Sequence, residues 1–264
     1  MGQDFIYFMG TGGARFVVFR QLRSSAGIWC RFNGVNICID PGPGTLVRCF
    51  AGEEALNPEE LDAVILSHRH LDHSADANIM VEAMTRGTFH KRGVLFAPGD
   101  ALNGQEPVVF RYLRQAVERV EFLREGGRYR IKGITFSTPV RHLHGVETYG
   151  LQFSLPNGTV AFITDSSFFS RLASHYKGAD ILILNVVLYR HPGHHKIQHL
   201  DLEGAQNIIE TVRPRKAFIS HFGTTMLDND PPALAAGLTS RTGVEVKAAE
   251  DGLVVNLEEL LQKD

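Results

Sequence analysis

The chain has 264 residues, of which 44% are hydrophobic and 21% charged, with a formal net charge of −2. This composition suits one folded domain over residues 1–264 with a sizeable core, and it excludes disordered and collagen-like classes. It gives no strong nucleic-acid-binding signal, because no general basic surface is available, and no apolar stretch reaches membrane-spanning length. The start, Met1-Gly2-Gln3-Asp4, lacks the basic opening and long apolar core of a signal peptide. Cys30, Cys38 and Cys49 form an odd set inside apolar segments. Together these features predict a cytoplasmic protein with buried free thiols and no membrane partner.

The first element is a strand, Phe5-Ile6-Tyr7-Phe8-Met9, followed by the glycine-rich turn Gly10-Thr11-Gly12-Gly13. Asn33-Gly34 between two apolar runs, 28–32 and 35–39, predicts a hairpin. Its second arm ends at Asp40-Pro41-Gly42-Pro43-Gly44, a breaker that leads into a short helix. Beyond it, strands are predicted at 62–67, 93–97, 128–131, 134–138, 149–154, 159–164, 179–185, 216–220, 243–247 and 252–255. Helices are predicted at 74–85, about 107–121, 167–173, 201–212 and 231–241. Hairpins mixed with helical crossovers imply sheets with helices on their outer faces, an α/β architecture.

Chemistry concentrates where the apolar strands stop. Ala63-Val64-Ile65-Leu66-Ser67 runs into His68-Arg69-His70-Leu71-Asp72-His73, three imidazoles and a carboxylate in six positions. Neutral imidazole and carboxylate are natural ligands for zinc and similar divalent ions. Four donors in one loop exceed what a single catalytic ion with an open position takes; they suit two ions, each completed from elsewhere. Strand 160–164 ends at Asp165, and Lys216-Ala217-Phe218-Ile219 ends at Ser220-His221, a unit similar to the first. Donors at the carboxyl ends of neighbouring strands can converge on one crevice.

These residues resemble the metallo-β-lactamase superfamily, whose fold is a four-layer αββα sandwich with a metal site along one edge. The resemblance covers nearly the whole chain. It implies that His68, His70 and His144 bind one divalent ion, that Asp72, His73 and His221 bind a second, and that Asp165 bridges them. Zinc is the first expectation, with manganese and iron compatible with the same donors. His142 competes with His144 for the third histidine; Tyr149-Gly150 downstream fits His144 to the ribonuclease Z-like pattern.

Three features point to a branch. His144 lacks the Thr-Pro-Gly-His setting of glyoxalase II-like enzymes, and Leu143-His144-Gly145 is similar to ribonuclease Z and to cyclic phosphodiesterases of phosphonate breakdown. Gln198-His199-Leu200-Asp201 resembles the helix start at which those phosphodiesterases carry a histidine that assists the leaving group. The glycine-rich turn matches their opening. Asp201 departs from the small hydroxylated residue common there and would also serve as a helix N-cap. Only 21 positions separate His144 from Asp165, too few for the tRNA-gripping arm of ribonuclease Z. Diiron redox members usually carry Glu where this chain has His70.

The resemblance therefore implies a dinuclear metal-dependent hydrolase acting on a small anionic substrate, a small or cyclic phosphodiester or nucleotide. Asp72 and His199 are the candidate catalytic residues, with glycine-turn amides and those opening the 42–50 helix as phosphate contacts. A thioesterase or lactonase of the glyoxalase II type is the alternative, and a non-catalytic metal-binding protein a further one. Residues 86–127 are expected to shape the pocket rim and to offer a homo-oligomer contact. Arg111, Arg114 and Arg119 read first as a solvated helix face, and the histidine-rich 190–196 stretch as a solvated loop.

Overall fold

The computed structural model describes residues 3–25, 27–51, 56–193 and 196–261. Fourteen strands form two seven-stranded mixed sheets among the described residues. In chain order the first sheet takes β1 (Phe5–Phe8), β2 (Ile28–Phe32), β3 (Val35–Ile39), β4 (Ala63–Ile65), β5 (Val94–Ala97) and β6 (Arg119–Phe122). The second takes β7 (Gly127–Ile131), β8 (Ile134–Thr138), β9 (Leu151–Leu155), β10 (Gly158–Ile163), β11 (Ile181–Asn185), β12 (Lys216–Ser220) and β13 (Glu245–Ala248). The chain then crosses back, and β14 (Leu253–Asn256) pairs antiparallel with β1 at the edge of the first sheet.

Hydrophobic patterning explains the layers. All four residues of β1 are buried: Ile6 and Phe8 face the space between the sheets, while Phe5 and Tyr7 face the helices outside. A strand covered on both faces has no polar side, so it reads as a continuous apolar run. Phe32, Phe96, Phe136, Phe153, Phe162 and Phe218 fill the inter-sheet core. Apolar residues of the helices Ala77–Met84 and Arg111–Ala116 close the outer face of the first sheet. Those of Leu202–Val212 and Pro231–Thr242 close the second. The result is the four-layer αββα sandwich.

The Asn33-Gly34 hairpin forms in the predicted register, with both residues at positive φ, as the tight turn requires. Cys30, Cys38 and Cys49 are free and buried. Two expectations fail. The helix predicted over 107–121 stops at Ala116; Val117 is extended, and residues 119–122 become an edge strand parallel to β5. Val120 packs there against the outer core, so β-sheet pairing overrides the helical pattern. No helix forms over 167–173 either; one 3-10 turn, Ala173–Tyr176, follows, so Asp165 has no helix there to cap. Among the described residues no helix is long and apolar enough to cross a membrane.

The topology sets the site. β3 to β6 run parallel in the first sheet, and β10 to β13 in the second. The carboxyl ends of β3, β4, β10 and β12 meet along one edge of the sandwich. The segment between β13 and β14 passes over that edge, where Asp251 accepts hydrogen bonds from Thr11 N, Thr11 Oγ1 and Ser24 N at 2.7–2.8 Å. Removing that carboxylate strands two backbone donors. Asp251→Ala is expected to cost about 2–4 kcal/mol, read as a lower urea midpoint with an unchanged slope.

Candidate metal centre

Asp40, directly after β3, organises the first half of the site. Its carboxylate accepts from Ser67 N and Ser67 Oγ, each at 2.6 Å, and from His73 Nδ1 at 3.0 Å. Because the Ser67 hydroxyl gives its only proton to Asp40, it must accept from His68 Nδ1, 2.9 Å away. His68 is thereby held as the Nδ1–H tautomer with its Nε2 lone pair facing inward, and the engaged Nδ1–H of His73 aims its Nε2 inward as well. His144 Nδ1 lies 2.8 Å from the Gln198 carbonyl, which can only accept, so its Nε2 faces inward in the same state.

The inward atoms converge. His70 Nδ1 is 3.1 Å from His68 Nε2 and 3.0 Å from His144 Nε2, while His73 Nε2 and His221 Nε2 are 3.1 Å apart. Asp72 Oδ2 completes the second group at 3.8 Å from His73 Nε2 and 3.6 Å from His221 Nε2. Asp165 stands between the groups. Its Oδ2 is 3.9 Å from His68 Nε2, 3.9 Å from His144 Nε2 and 3.5 Å from His73 Nε2, and its Oδ1 is 3.4 Å from His221 Nε2. All seven residues singled out by the sequence thus meet in two triads around one buried carboxylate.

The donor set fits divalent cations. Lone pairs facing each other at 3.0–3.1 Å repel unless a proton or a cation lies between them, and such spacing suits two nitrogens on one ion with bonds of about 2.0–2.1 Å. The outward nitrogens of His68, His73 and His144 are hydrogen-bonded, as metal-ligating imidazoles usually are. Electrostatics keep His68 and His70 neutral, whereas the carboxylates of Asp72, Asp165 and Asp40 outweigh burial at His73 and raise that imidazole well above its usual range, so a cation there would replace its proton. Burial, reinforced by His73, holds the His68 imidazole well below its usual range, and burial with His144 brings His70 down to about 4. Burial alone would push Asp165 and Asp72 above the usual carboxylate range, but the neighbouring His221 and His73 outweigh it and keep both carboxylates ionised.

His142 stays outside the cluster. It is buried with Nε2 2.8 Å from Tyr176 Oη and Nδ1 3.2 Å from Thr164 Oγ1, and burial lowers it to about 4. It props the strand end that carries Asp165. His199 does reach the cluster: its Nδ1 lies 3.4 Å from Asp165 Oδ2 and makes no hydrogen bond. Asp201 caps the following helix by accepting from Gly204 N at 2.9 Å and also accepts from His191 N. The ring of His191 ties its own loop together through Ile197 O and Gly193 N; His194 and His195 lie outside the described residues.

The glycine turn has a different job from the one its sequence suggested. The amides of Thr11, Gly12 and Gly13 are all spent on Asp251, Ser24 and Phe222. Those of Gly42, Thr45 and Leu46 bond Asp40 O, Gly42 O and Asp76. None of the six is available to a phosphate. Instead, Gly13 packs directly under His221, where a Cβ would overlap the imidazole ring. His221 itself adopts φ +59, a left-handed conformation that a non-glycine residue holds only when its surroundings impose it. Arg114 and Arg119 are engaged with Leu102 O and with Glu121 and Arg130 O, away from the cluster. The residue that sequence reading passed over is Asp40, which lies inside a breaker motif yet follows a strand of the same sheet edge.

Residues 35–222 match the family model of the Beta-lactamase superfamily domain. An uncharacterised protein of Methanocaldococcus jannaschii, MJ1374, is 30% identical over 259 residues, covering 96% of this chain and 94% of its own. The crystal structure of the metallo-beta-lactamase fold protein YhfI from Bacillus subtilis superposes with a TM-score of 0.79 at 21% identity, over 96% of this chain and 99% of that one. A diphosphatase from the PhnP family gives 0.71 at 20% identity, over 96% and 97%. The chain belongs to the metallo-β-lactamase superfamily.

Proposed function

We propose that this member of a metallo-hydrolase superfamily is a dinuclear phosphodiesterase that hydrolyses a small or cyclic phosphodiester or nucleotide. The observation that carries the reading is His199. Its Nδ1 is buried, lacks a hydrogen bond and faces the carboxylate that joins the two triads. An imidazole in that position suits proton delivery to a leaving oxygen. The likeness to a diphosphatase of the PhnP family supports phosphorus over carbon as the electrophile. Fold alone would not, since a diiron β-hydroxylase shares it with a TM-score of 0.68.

In this scheme His68, His70 and His144 hold one divalent ion, Asp72, His73 and His221 the other, and Asp165 both. Bound there, the ions would supply Lewis-acid polarisation of the phosphoryl group and an acidified water. Asp40 keeps the ligand nitrogens aimed, through Ser67 and His73. Burial lowers the His199 imidazole from its usual range although the ionised Asp165 opposes it, so a proton on that ring is an acidic one, which His199 gives to the departing alkoxide. Zinc is the first choice of ion, with manganese or iron as substitutes.

His68→Ala is expected to lose bound metal, by elemental analysis, and with it nearly all hydrolysis of bis(p-nitrophenyl) phosphate. Asp40→Ala should weaken metal affinity about 10–100-fold without removing a ligand. Gly13→Ala should displace His221 and bring the metal content towards one ion per chain. His199→Ala should retain both ions and lose about 10²–10⁴-fold in rate for alkyl leaving groups but far less for p-nitrophenolate, which departs without a proton. Equal losses across leaving groups would overturn the role given to His199. Absent diester turnover in the two-metal protein, with thioesters or lactones cleaved instead, would replace phosphodiester chemistry by the glyoxalase II type.

A further inference from the structure

A cavity of about 870 Å³ opens over the cluster, with His70, Asp72, His144, Asp165 and His199 on one side. Its lining also holds an apolar wall, Val18, Phe19, Leu71 and Ile197, bordered by Arg15, Lys196 and Gln198. The phosphoryl group of a diester occupies a small part of such a volume, and cavities of this size commonly enclose whole drug-sized ligands. Phe19 and Leu71 are 65% and 74% exposed, although they line the same cavity as the histidine and aspartate cluster. Phe19 is held in place despite its exposure: its ring lies 5.4 Å from that of Phe16, and the Arg20 guanidinium sits over both rings at 5.9 and 5.4 Å. A ring fixed before binding loses little entropy when a ligand covers it. Arg15, exposed on the same helix, Ala14–Arg20, adds a cation to the cavity lining.

We infer that the substrate carries a flat aromatic ring system on one ester arm, seated against Val18, Phe19, Leu71 and Ile197, with Arg15 facing its anionic part. The inference rests on the phosphodiester reading and names the substrate class within it. Phe19 is the specificity-determining residue, because it contributes the aromatic surface of that wall. Rings meeting edge to face at such a surface gain beyond the area they bury.

The test is calorimetric binding of methyl-, phenyl- and 1-naphthylphosphonate to the zinc-loaded protein. Affinity is expected to rise about tenfold with each added ring, the scale set by burying some 50–60 Å² of apolar surface at each step. Phe19→Ala should flatten the series and Phe19→Trp restore it, while Arg15→Ala weakens all three ligands alike. Adenosine 5′-monophosphate binding more tightly than 1-naphthylphosphonate would assign the ring to a nucleoside; weaker binding would assign it to a simple aryl ester. Equal affinities for all three phosphonates, or a ring dependence that survives Phe19→Ala, would overturn the inference and leave the phosphodiester reading intact. Ring-dependent binding that needs no zinc would keep the seat and sink the phosphoester chemistry instead.

Discussion

The site depends on the carboxylate of Asp40. One oxygen takes the Ser67 amide, and the other takes the Ser67 hydroxyl and the His73 ring. Through the hydroxyl, that second oxygen also decides the tautomer of His68. A single buried acid thus dictates which nitrogen of two imidazoles is free, at the point where β3 and β4 release the chain. Asp40 adopts φ +51 to do so, a conformation tolerated more readily by Asp than by most residues. The strain is local, and the three hydrogen bonds offset it.

Around that anchor the sheet topology supplies convergence. Parallel strands place their carboxyl ends on one side, so residues distant in sequence arrive together without long loops. His73 and His221 are 148 positions apart and meet at 3.1 Å. The helices and the inter-sheet aromatic core make this edge rigid. Catalytic constellations are held more closely by strand ends and helix starts than by free loops.

Much of this was legible in the sequence. Both-face burial makes the strands of such a sandwich read as apolar runs, and the polar residue that ends each run marks the site edge. His68, Asp165 and His221 were visible for that reason. His199 was visible from its helix start, where Asp201 acts as the cap. Other features were not legible because they depend on tertiary contacts. Asp40 reads as part of a turn until Ser67 and His73 are placed beside it. The Gly10 to Gly13 turn looks like a phosphate cradle until the amides of Thr11, Gly12 and Gly13 are found to be occupied. Residues 119–122 look helical until β5 offers them a partner, and the apolar wall containing Phe19 has no signature beyond a short amphipathic helix.

Asp251 bears on how the site could be monitored. It lies in the segment that passes from the second sheet to the first, and it grips the amides of Thr11 and Ser24. The turn so held supports His221 through Gly13. The Thr11 and Ser24 amides are therefore sentinels: their hydrogen–deuterium exchange rates report whether the two sheets are still latched together beneath the histidines. A local opening at this edge would register there before any loss of global structure, and it would separate wear of the site from unfolding of the domain.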